Sequence, residues 1–463
     1  MNSGRRREIP HIGRRSIGYA EKVLALALLV LNHVTVIDVV RGVAQPDRVV
    51  EIEGARIRAV LPAAGYRAPA GAVVHDLPGR FVLPGFVDMH AHVLFPPLDE
   101  EGRPFPAFDR DTSLALLRTL LLHGVTTVRD PGDATEAAVA VRGMLARGDI
   151  VGPQLFTAGR ILTAAPVHHA IYASVTDEQQ VREEVAWQAK AGVDFIKVYD
   201  DLPPALVRAA IDEAHQRGLR VIGHVQSTTW TEAARMDIDF ITHAASWSGE
   251  YLTPVARAAY RPSMFGRVYW LEHLDLNAPE VREMVAALVE HHVSIDPTLI
   301  AFRTKFWGDD PQYTDNPHRA DAPPKLWSGF ARRSNTADWT AAQYRDARAQ
   351  WPKLLALVKL MYDRGVLLTA GTDTPFPWII PGVSFHEELR LLAAAGIPIP
   401  AVLRMATFNA GLALKQNIGA VEPGRQADLV ILAANPLLSL QNTERIEIVV
   451  KAGQLYSPRG AGR

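Results

Sequence analysis

Eight short apolar segments, separated by helical patterns, constrain the fold of this chain more than any other feature. They are residues 86–92, 125–130, 154–159, 194–199, 220–225, 239–244, 293–299 and 366–373. The helical patterns between them include residues 178–192 and 204–218, each of which closes on a glycine. Because such alternation is typical of parallel βα units, we expect an α/β protein with a distorted (β/α)8 TIM barrel.

The two ends of the chain have a different pattern, in which short alternating strands are separated by turns. Such strands are predicted between residues 28 and 80 and again between residues 428 and 456. We therefore expect the termini to pair into one small β-sandwich domain beside the barrel. The predicted division is residues 1–20 as a flexible N-terminal extension, residues 21–80 and 421–463 as the composite β-sandwich, and residues 81–420 as the barrel.

Two long segments interrupt the regular spacing of the barrel strands. Residues 245–292 precede the seventh predicted strand, and residues 301–352, rich in proline and tryptophan, follow it. The active site of a TIM barrel is built on the loops that follow its strands. Insertions at such positions are therefore expected to shape a substrate pocket.

The composition excludes several classes of binding partner and several kinds of cysteine chemistry. The 463 residues carry a formal net charge of −1, so no global field favours nucleic acid or an anionic membrane. No cysteine is present, which excludes disulfides and thiolate metal sites. The longest aliphatic run, residues 23–31, is far shorter than the ~20 residues of a membrane-spanning helix. We expect a small-molecule substrate, a homo-oligomer and a cytoplasmic location, with an export signal at the arginine-rich N-terminus as the alternative.

Polar side chains stand at the ends of five of the predicted barrel strands. His90 and His92 are two residues apart on the first strand and therefore face the same side. A barrel brings strand ends together whatever their separation along the chain. Nitrogen and carboxylate ligands suit a catalytic divalent metal, most simply zinc. The six candidate ligands are His90, His92, Lys197, His224, His243 and Asp373.

Several motifs around these positions resemble those of the amidohydrolase superfamily. They are LPGFVDMHAH, GVTTVRDPG, DFIKVY, GHV, THA, AGTDT and the closing segment at residues 407–437. The match is to the imidazolonepropionase-like and prolidase-like branch, which includes metal-dependent dipeptidases and a mycotoxin amidase. It extends from about residue 28 to residue 456.

The resemblance implies a role for each of the six side chains. His90, His92 and Asp373 would bind one metal ion, and His224 and His243 a second. Lys197 would bridge the two ions as a carbamate, because a lysine buried beside cations loses its proton and the neutral amine captures CO2. A hydroxide shared by the two ions would attack an amide carbonyl, with Asp373 transferring the proton. The implied enzyme is a binuclear metal-dependent amidohydrolase acting on a peptide-like or N-acyl amino acid bond.

Three residues near this centre are weaker candidates. His168 and His169 follow the third predicted strand, where members of this branch carry a histidine that contacts the substrate carbonyl. The Gly-Gly-His pattern usual at that position is absent, so either histidine is a candidate catalytic residue or both belong to a surface loop. Tyr199 lies two residues beyond Lys197 and faces the same way, so it is a candidate ligand of a substrate carboxylate or a packing residue.

Other functions are compatible with parts of the pattern. The same hydroxide would attack a carbamate, a lactone or other ester, or an organophosphate, because pocket loops and not metal ligands set that choice. A catalytically silent barrel used for assembly would normally have lost ligands, and all six are present here. A mononuclear deaminase would need a glutamate near His224, where the neighbours are Gly223, Val225 and Gln226.

Overall fold

The structure is a computed structural model that describes residues 28–94, 109–167 and 170–458. The predicted extension at residues 1–20 lies outside the described residues. No helix in the described ranges is both long enough and apolar enough to cross a lipid bilayer.

A mostly antiparallel sheet joins the two ends of the chain. From the N-terminal side come Leu29–Asp38 (β1), Val43–Glu53 (β2), Arg56–Pro62 (β3), Val73–Asp76 (β4) and Phe81–Pro84 (β5). The C-terminal side adds Leu429–Leu432 (β15), Ile446–Lys451 (β16) and Gln454–Tyr456 (β17), and β15 pairs antiparallel with β5. Pairing runs in the order β17-β16-β15-β5-β1-β2-β3, with β4 on β1. The predicted β domain built from both termini is confirmed, and the exact boundaries of the predicted domains stay a prediction.

The middle of the chain forms a second sheet of parallel strands. They are Phe86–Asp88 (β6), Val125–Asp130 (β7), Gln154–Thr163 (β8), Tyr172–Ser174 (β9), Phe195–Val198 (β10), Arg220–Gly223 (β11), Phe240–Thr242 (β12), Ser294–Asp296 (β13) and Leu367–Leu368 (β14). Each of the eight predicted barrel segments overlaps one of these strands.

The parallel sheet closes on itself where its first and last strands meet. The sheet order is β14-β13-β12-β11-β10-β8-β7-β6. Beyond the ends of β6 and β14, Ala91 and Thr374 form an isolated parallel bridge. The amide of His92 donates to the carbonyl of Thr374 at 2.8 Å, and the amide of Asp373 donates to that of His90 at 2.7 Å. The predicted distorted TIM barrel is confirmed.

Helices cover the outside of the barrel and fill the two insertions. They are Arg110–Leu122 (α1), Thr135–Arg147 (α2), Glu178–Ala191 (α3), Pro204–Gln216 (α4), Trp230–Arg235 (α5), Pro254–Ala259 (α6), Gly266–His273 (α7), Pro279–Glu290 (α8), Leu299–Phe306 (α9), Pro311–Thr314 (α10), Pro324–Arg333 (α11), Ala341–Asp363 (α12), Val383–Ala394 (α13), Ile399–Arg404 (α14) and Ala410–Leu414 (α15). Helix α3 shows why the sequence predicted it so closely. Asp177 caps its first turn by accepting from the amide of Gln180, and Gly192 ends it with φ 94°.

The side chains that the strands place inside the barrel form two layers, one apolar and one polar. Phe195 on β10 and Ile222 on β11 belong to a buried apolar cluster that fills one end of the barrel. Two residues further along the same strands stand Lys197 and His224. Because side chains at i and i+2 share a face, these polar groups lie in the next layer, toward the C-terminal end of the barrel.

Candidate metal centre

Closure of the barrel brings His90, His92 and Asp373 together. Their ligand atoms all lie within 4.8 Å of one another. The Oδ1 atom of Asp373 is 3.3 Å from Nε2 of His90 and 3.8 Å from Nε2 of His92. Two imidazole nitrogens and one carboxylate oxygen in this arrangement are a suitable ligand set for a divalent cation.

The pKa values of His90 and Asp373 indicate that the cluster favours a positive charge. Burial acts to lower the pKa of His90, but the carboxylates of Asp373 and Asp296 raise it overall. Burial likewise opposes ionisation of Asp373, yet the charge of His90 and the hydrogen bond with it lower the pKa of Asp373 to about 2. The cluster is therefore stabilised by positive charge at the position between these two side chains, where a metal ion can replace the proton.

His224 and His243 form the adjoining half of the cluster. Nε2 of His243 lies 3.2 Å from Nδ1 of His224. The ring centroids of His243 and His90 are 5.0 Å apart, so the two halves are contiguous. Burial lowers the pKa of both His224 and His243 well below the ordinary value, which leaves the neutral imidazole that binds metals. Among the described residues, the buried Nε2 atom of His224 has no hydrogen-bond partner. This unpartnered nitrogen fits a metal ligand.

Lys197 lies in the same cluster, and its amine is buried. Its side chain is 2% exposed, and Nζ donates to Oγ1 of Thr242 at 3.2 Å. Desolvation lowers the pKa of this amine to about 7. Asp194, three residues before Lys197, pairs with Arg142 at 2.6 Å and not with Lys197. Lys197 is thus largely deprotonated above neutral pH, the form that reacts with CO2.

A second layer of hydrogen bonds orients three of the imidazoles. Nδ1 of His92 donates to the carbonyl of Gly132 at 2.8 Å. Since a carbonyl can only accept, the lone pair of that ring is on Nε2 and faces the cluster. Nδ1 of His90 contacts Asp296 at 2.7 Å, and Nδ1 of His243 contacts the hydroxyl of Thr298 at 2.8 Å. Such partners fix the tautomer and the direction of a metal-binding histidine.

All six predicted ligands line one cavity of about 330 Å³. The side chains come from five strand ends, which is the convergence that the sequence predicted. Tyr199 also lines the cavity, with its ring centroid 5.1 Å from that of His224 and 5.7 Å from that of Tyr172. The predicted candidates His168 and His169 lie outside the described residues.

Sequence reasoning missed several residues of this site. Asp296 stands at the end of β13, inside a segment that was predicted as a strand, so the rule that found Asp373 also applies to it. Asp133 lines the cavity after β7 and lies with Asp130 within 4.8 Å of His92. Burial raises the pKa of Asp130 to about 7 and that of Asp133 well above the ordinary value.

Two cations of the cavity also escaped the sequence analysis. Arg267 on α7 and Lys305 on α9 both line the cavity. They come from the two insertions, where no strand or helix periodicity related their positions to the barrel. The sequence therefore contained no signal that placed them near the metal ligands.

Comparison with known proteins agrees with this architecture. A family model described as "Amidohydrolase family" matches residues 81–456. An uncharacterized protein of Mycobacterium tuberculosis (strain H37Rv) is 32% identical over 394 residues, which cover 82% of this chain and 86% of the relative.

Solved structures of similar fold cover nearly the whole chain. The structure of a putative prolidase from Bifidobacterium longum matches with a TM-score of 0.71 at 23% identity, covering 93% of this chain and 95% of that one. A Xaa-Pro dipeptidase with methionine bound in its active site matches with a TM-score of 0.69 at 19% identity, covering 93% and 100% of the two chains.

Proposed function

The chain belongs to the amidohydrolase family, and we propose that it is a binuclear metal-dependent hydrolase that cleaves an amide bond. One observation carries this proposal. Six side chains of the ligand type, from five strand ends, line a single cavity at the C-terminal end of the barrel. The unpartnered nitrogen of His224 and the closeness of His90, His92 and Asp373 support metal binding.

Two divalent ions, most simply zinc, would be held in two groups. His90, His92 and Asp373 would bind one ion, and His224 and His243 the other. When bound, such ions lower the pKa of a water molecule and polarise a carbonyl group. Lys197 would contribute a bridging carboxylate as its carbamate: the neutral amine attacks CO2, a nitrogen–carbon bond forms, and one proton leaves. The lowered pKa of Lys197 supports this reaction.

Asp373 is proposed to move the proton during hydrolysis. Its carboxylate is ionised throughout the neutral range because its pKa is about 2. It would accept the proton of the attacking water and deliver it to the leaving nitrogen. Tyr199 in the cavity wall would contact the substrate. A cavity of about 330 Å³ suits a molecule of the size of a dipeptide or an N-acyl amino acid.

An activity screen tests this proposal. The zinc-loaded protein, the same protein after removal of metal by a chelator, and the chelated protein reloaded with zinc would be assayed on dipeptides, N-acyl amino acids, carbamates and lactones. We expect about two ions per chain and amide hydrolysis that disappears with the metal and returns with it. Full activity without metal would contradict the metal-dependent mechanism. Turnover of esters or carbamates, but not of amides, would show that the enzyme cleaves that bond and not an amide bond.

Three broader proposals accompany this function. We propose that the substrate is a small molecule, that the protein is a homo-oligomer, and that it acts in the cytoplasm. Size-exclusion chromatography with light scattering tests the second of these directly.

A further inference from the structure

Two positively charged side chains line the cavity without an acidic partner. Arg267 and Lys305 are both half-buried. Within the described part of the chain, no carboxylate lies within ion-pair distance of either group. Their contacts are with aromatic rings: the Arg267 guanidinium lies 5.4 Å from the centroid of Trp247, and Lys305 Nζ lies 5.4 Å and 5.1 Å from the centroids of Phe302 and Phe376.

Two other cations withdrawn from water are paired with carboxylates. Arg129, fully buried, contacts Asp296 at 2.5 Å, and Lys451 contacts Asp428 at 2.7 Å. Withdrawing a cation from water without a counter-ion is unfavourable, because the charge loses its hydration. Arg267 and Lys305 lack a partner of this kind among the described residues.

The pKa shifts of Arg267 and Lys305 agree with a binding site for an anion. Burial lowers the pKa of Lys305 to about 8 and also lowers that of Arg267. The positive charge of Arg267 lowers the pKa of Lys305 further. Asp373 and Asp200 attract these charges only from beyond contact distance. An anion in the cavity would relieve both effects.

We propose that Arg267 and Lys305 bind a carboxylate of the substrate, so that the cavity selects anionic amides over neutral ones. This inference rests on the proposed function and names its substrate class. The aromatic contacts of the two side chains hold their charged groups in the cavity, since cation–π contacts orient a cation over a ring without neutralising it. Phe376 also packs on His92, with ring centroids 6.3 Å apart. This contact places Lys305 beside the predicted ligands.

The proposal also gives the two insertions a role. Arg267 belongs to the insertion that precedes β13, and Lys305 to the segment that follows it. The metal ligands come from strand ends, whereas the charge that would recognise the substrate comes from these added segments. Chemistry and specificity would thus be carried by separate parts of the chain.

A matched pair of substrates tests the selection on the zinc-loaded protein. N-acetyl-leucine and N-acetyl-leucinamide differ only in whether the leaving amine carries a carboxylate or a neutral amide. We expect kcat/KM to favour the carboxylate by about tenfold or more, as charge-assisted contacts do. Arg267→Gln and Lys305→Met should each remove most of this preference, chiefly through KM. Arg261→Gln and Lys325→Gln change exposed cations outside the cavity and should leave the preference intact.

A binding measurement separates this inference from the proposed function. Calorimetry would compare succinate with its neutral diamide on the zinc-loaded protein and on the Arg267→Gln and Lys305→Met variants. Loss of succinate binding in both variants supports the anion site even if no amide is hydrolysed. Equal hydrolysis of charged and neutral amides, with unchanged succinate binding in the variants, overturns the inference while the hydrolase function stands.

Thermal unfolding shows whether either variant merely misfolds. Removing a buried cation that has no partner should leave Tm unchanged or raise it. A Tm lowered in both variants relative to Arg261→Gln and Lys325→Gln would mean that the two cations support the fold, and this would overturn the inference.

Discussion

Nδ1 of His90 lies 2.7 Å from the Oδ2 atom of Asp296, a contact between the first and seventh strands of the barrel. The other oxygen of Asp296 accepts from the guanidinium of Arg129 at 2.5 Å. All three side chains are buried. The carboxylate therefore holds the His90 ring in one direction, with Nε2 toward Asp373.

Asp296→Asn should weaken metal binding at the centre. Loss of a carboxylate partner behind a metal-binding histidine typically reduces affinity by about 10–100-fold. Titration with zinc against a competing chelator would measure this change. Asp428→Asn, which breaks the buried pair with Lys451 away from the cavity, is the control for a general loss of stability. Equal zinc affinity in the Asp296→Asn variant and the unaltered protein would contradict the orienting role.

Asp373→Asn should abolish most of the activity even when the protein is saturated with zinc. The amide keeps the size of the side chain but cannot accept a proton, and loss of a general acid–base group costs about 10²–10⁴-fold in rate. Activity and bound zinc would be measured on the same sample. A variant that retains full metal and more than a tenth of the rate would show that another group moves the proton.

Carbamylation of Lys197 should depend on pH in a defined direction. Its amine has a pKa lowered to about 7 by burial, so the fraction that is neutral and able to react with CO2 rises as the pH increases through 7. Nuclear magnetic resonance of the metal-free protein in ¹³C-bicarbonate should show a carbamate signal that grows between pH 6 and pH 8. Lys197→Gln should lose this signal and Lys305→Met should keep it. A signal that persists in Lys197→Gln would assign it to a different amine.

Glu388 should make the protein less stable as the pH rises. Its carboxyl accepts from the amides of Leu299 and Ile300 at 3.0 and 2.7 Å, next to the Thr298 that contacts His243. Burial raises its pKa to about 8 from an ordinary 4.5. Between these values the folded state keeps a proton that the unfolded state releases, so this contribution to stability is complete below about pH 4.5 and is lost as the pH rises through 8.

The test compares Tm at pH 5 and pH 8 in the unaltered protein and in Glu388→Gln. The variant cannot titrate at this position, so its Tm should fall less between the two pH values. Asp88 and Asp130, whose pKa values burial raises to about 7, contribute to the slope in both proteins. Parallel Tm changes in the two proteins would show that Glu388 is ionised in the folded state.

Local sequence patterns predicted the barrel strands and the side chains at their ends, but not the contacts between side chains that are distant along the chain. The alternation of Phe195 with Lys197 and of Ile222 with His224 is visible in the sequence, because strand geometry relates residues two apart. Asp296 was available to the same rule, since it lies inside a segment predicted as a strand and ends β13. The contact of His90 with Asp296 was not, because the two residues are 206 positions apart and meet only through barrel closure.

The sequence by itself determined which side chains stand at the strand ends, since strand period and the βα order depend only on neighbouring residues. Tertiary structure alone decided which groups surround them. Arg267 and Lys305 reach the cavity through helices of irregular insertions, whose path follows from packing against the barrel and not from any spacing along the chain. The same holds for the buried environment that lowers the pKa of Lys197, because desolvation is a property of the closed barrel as a whole.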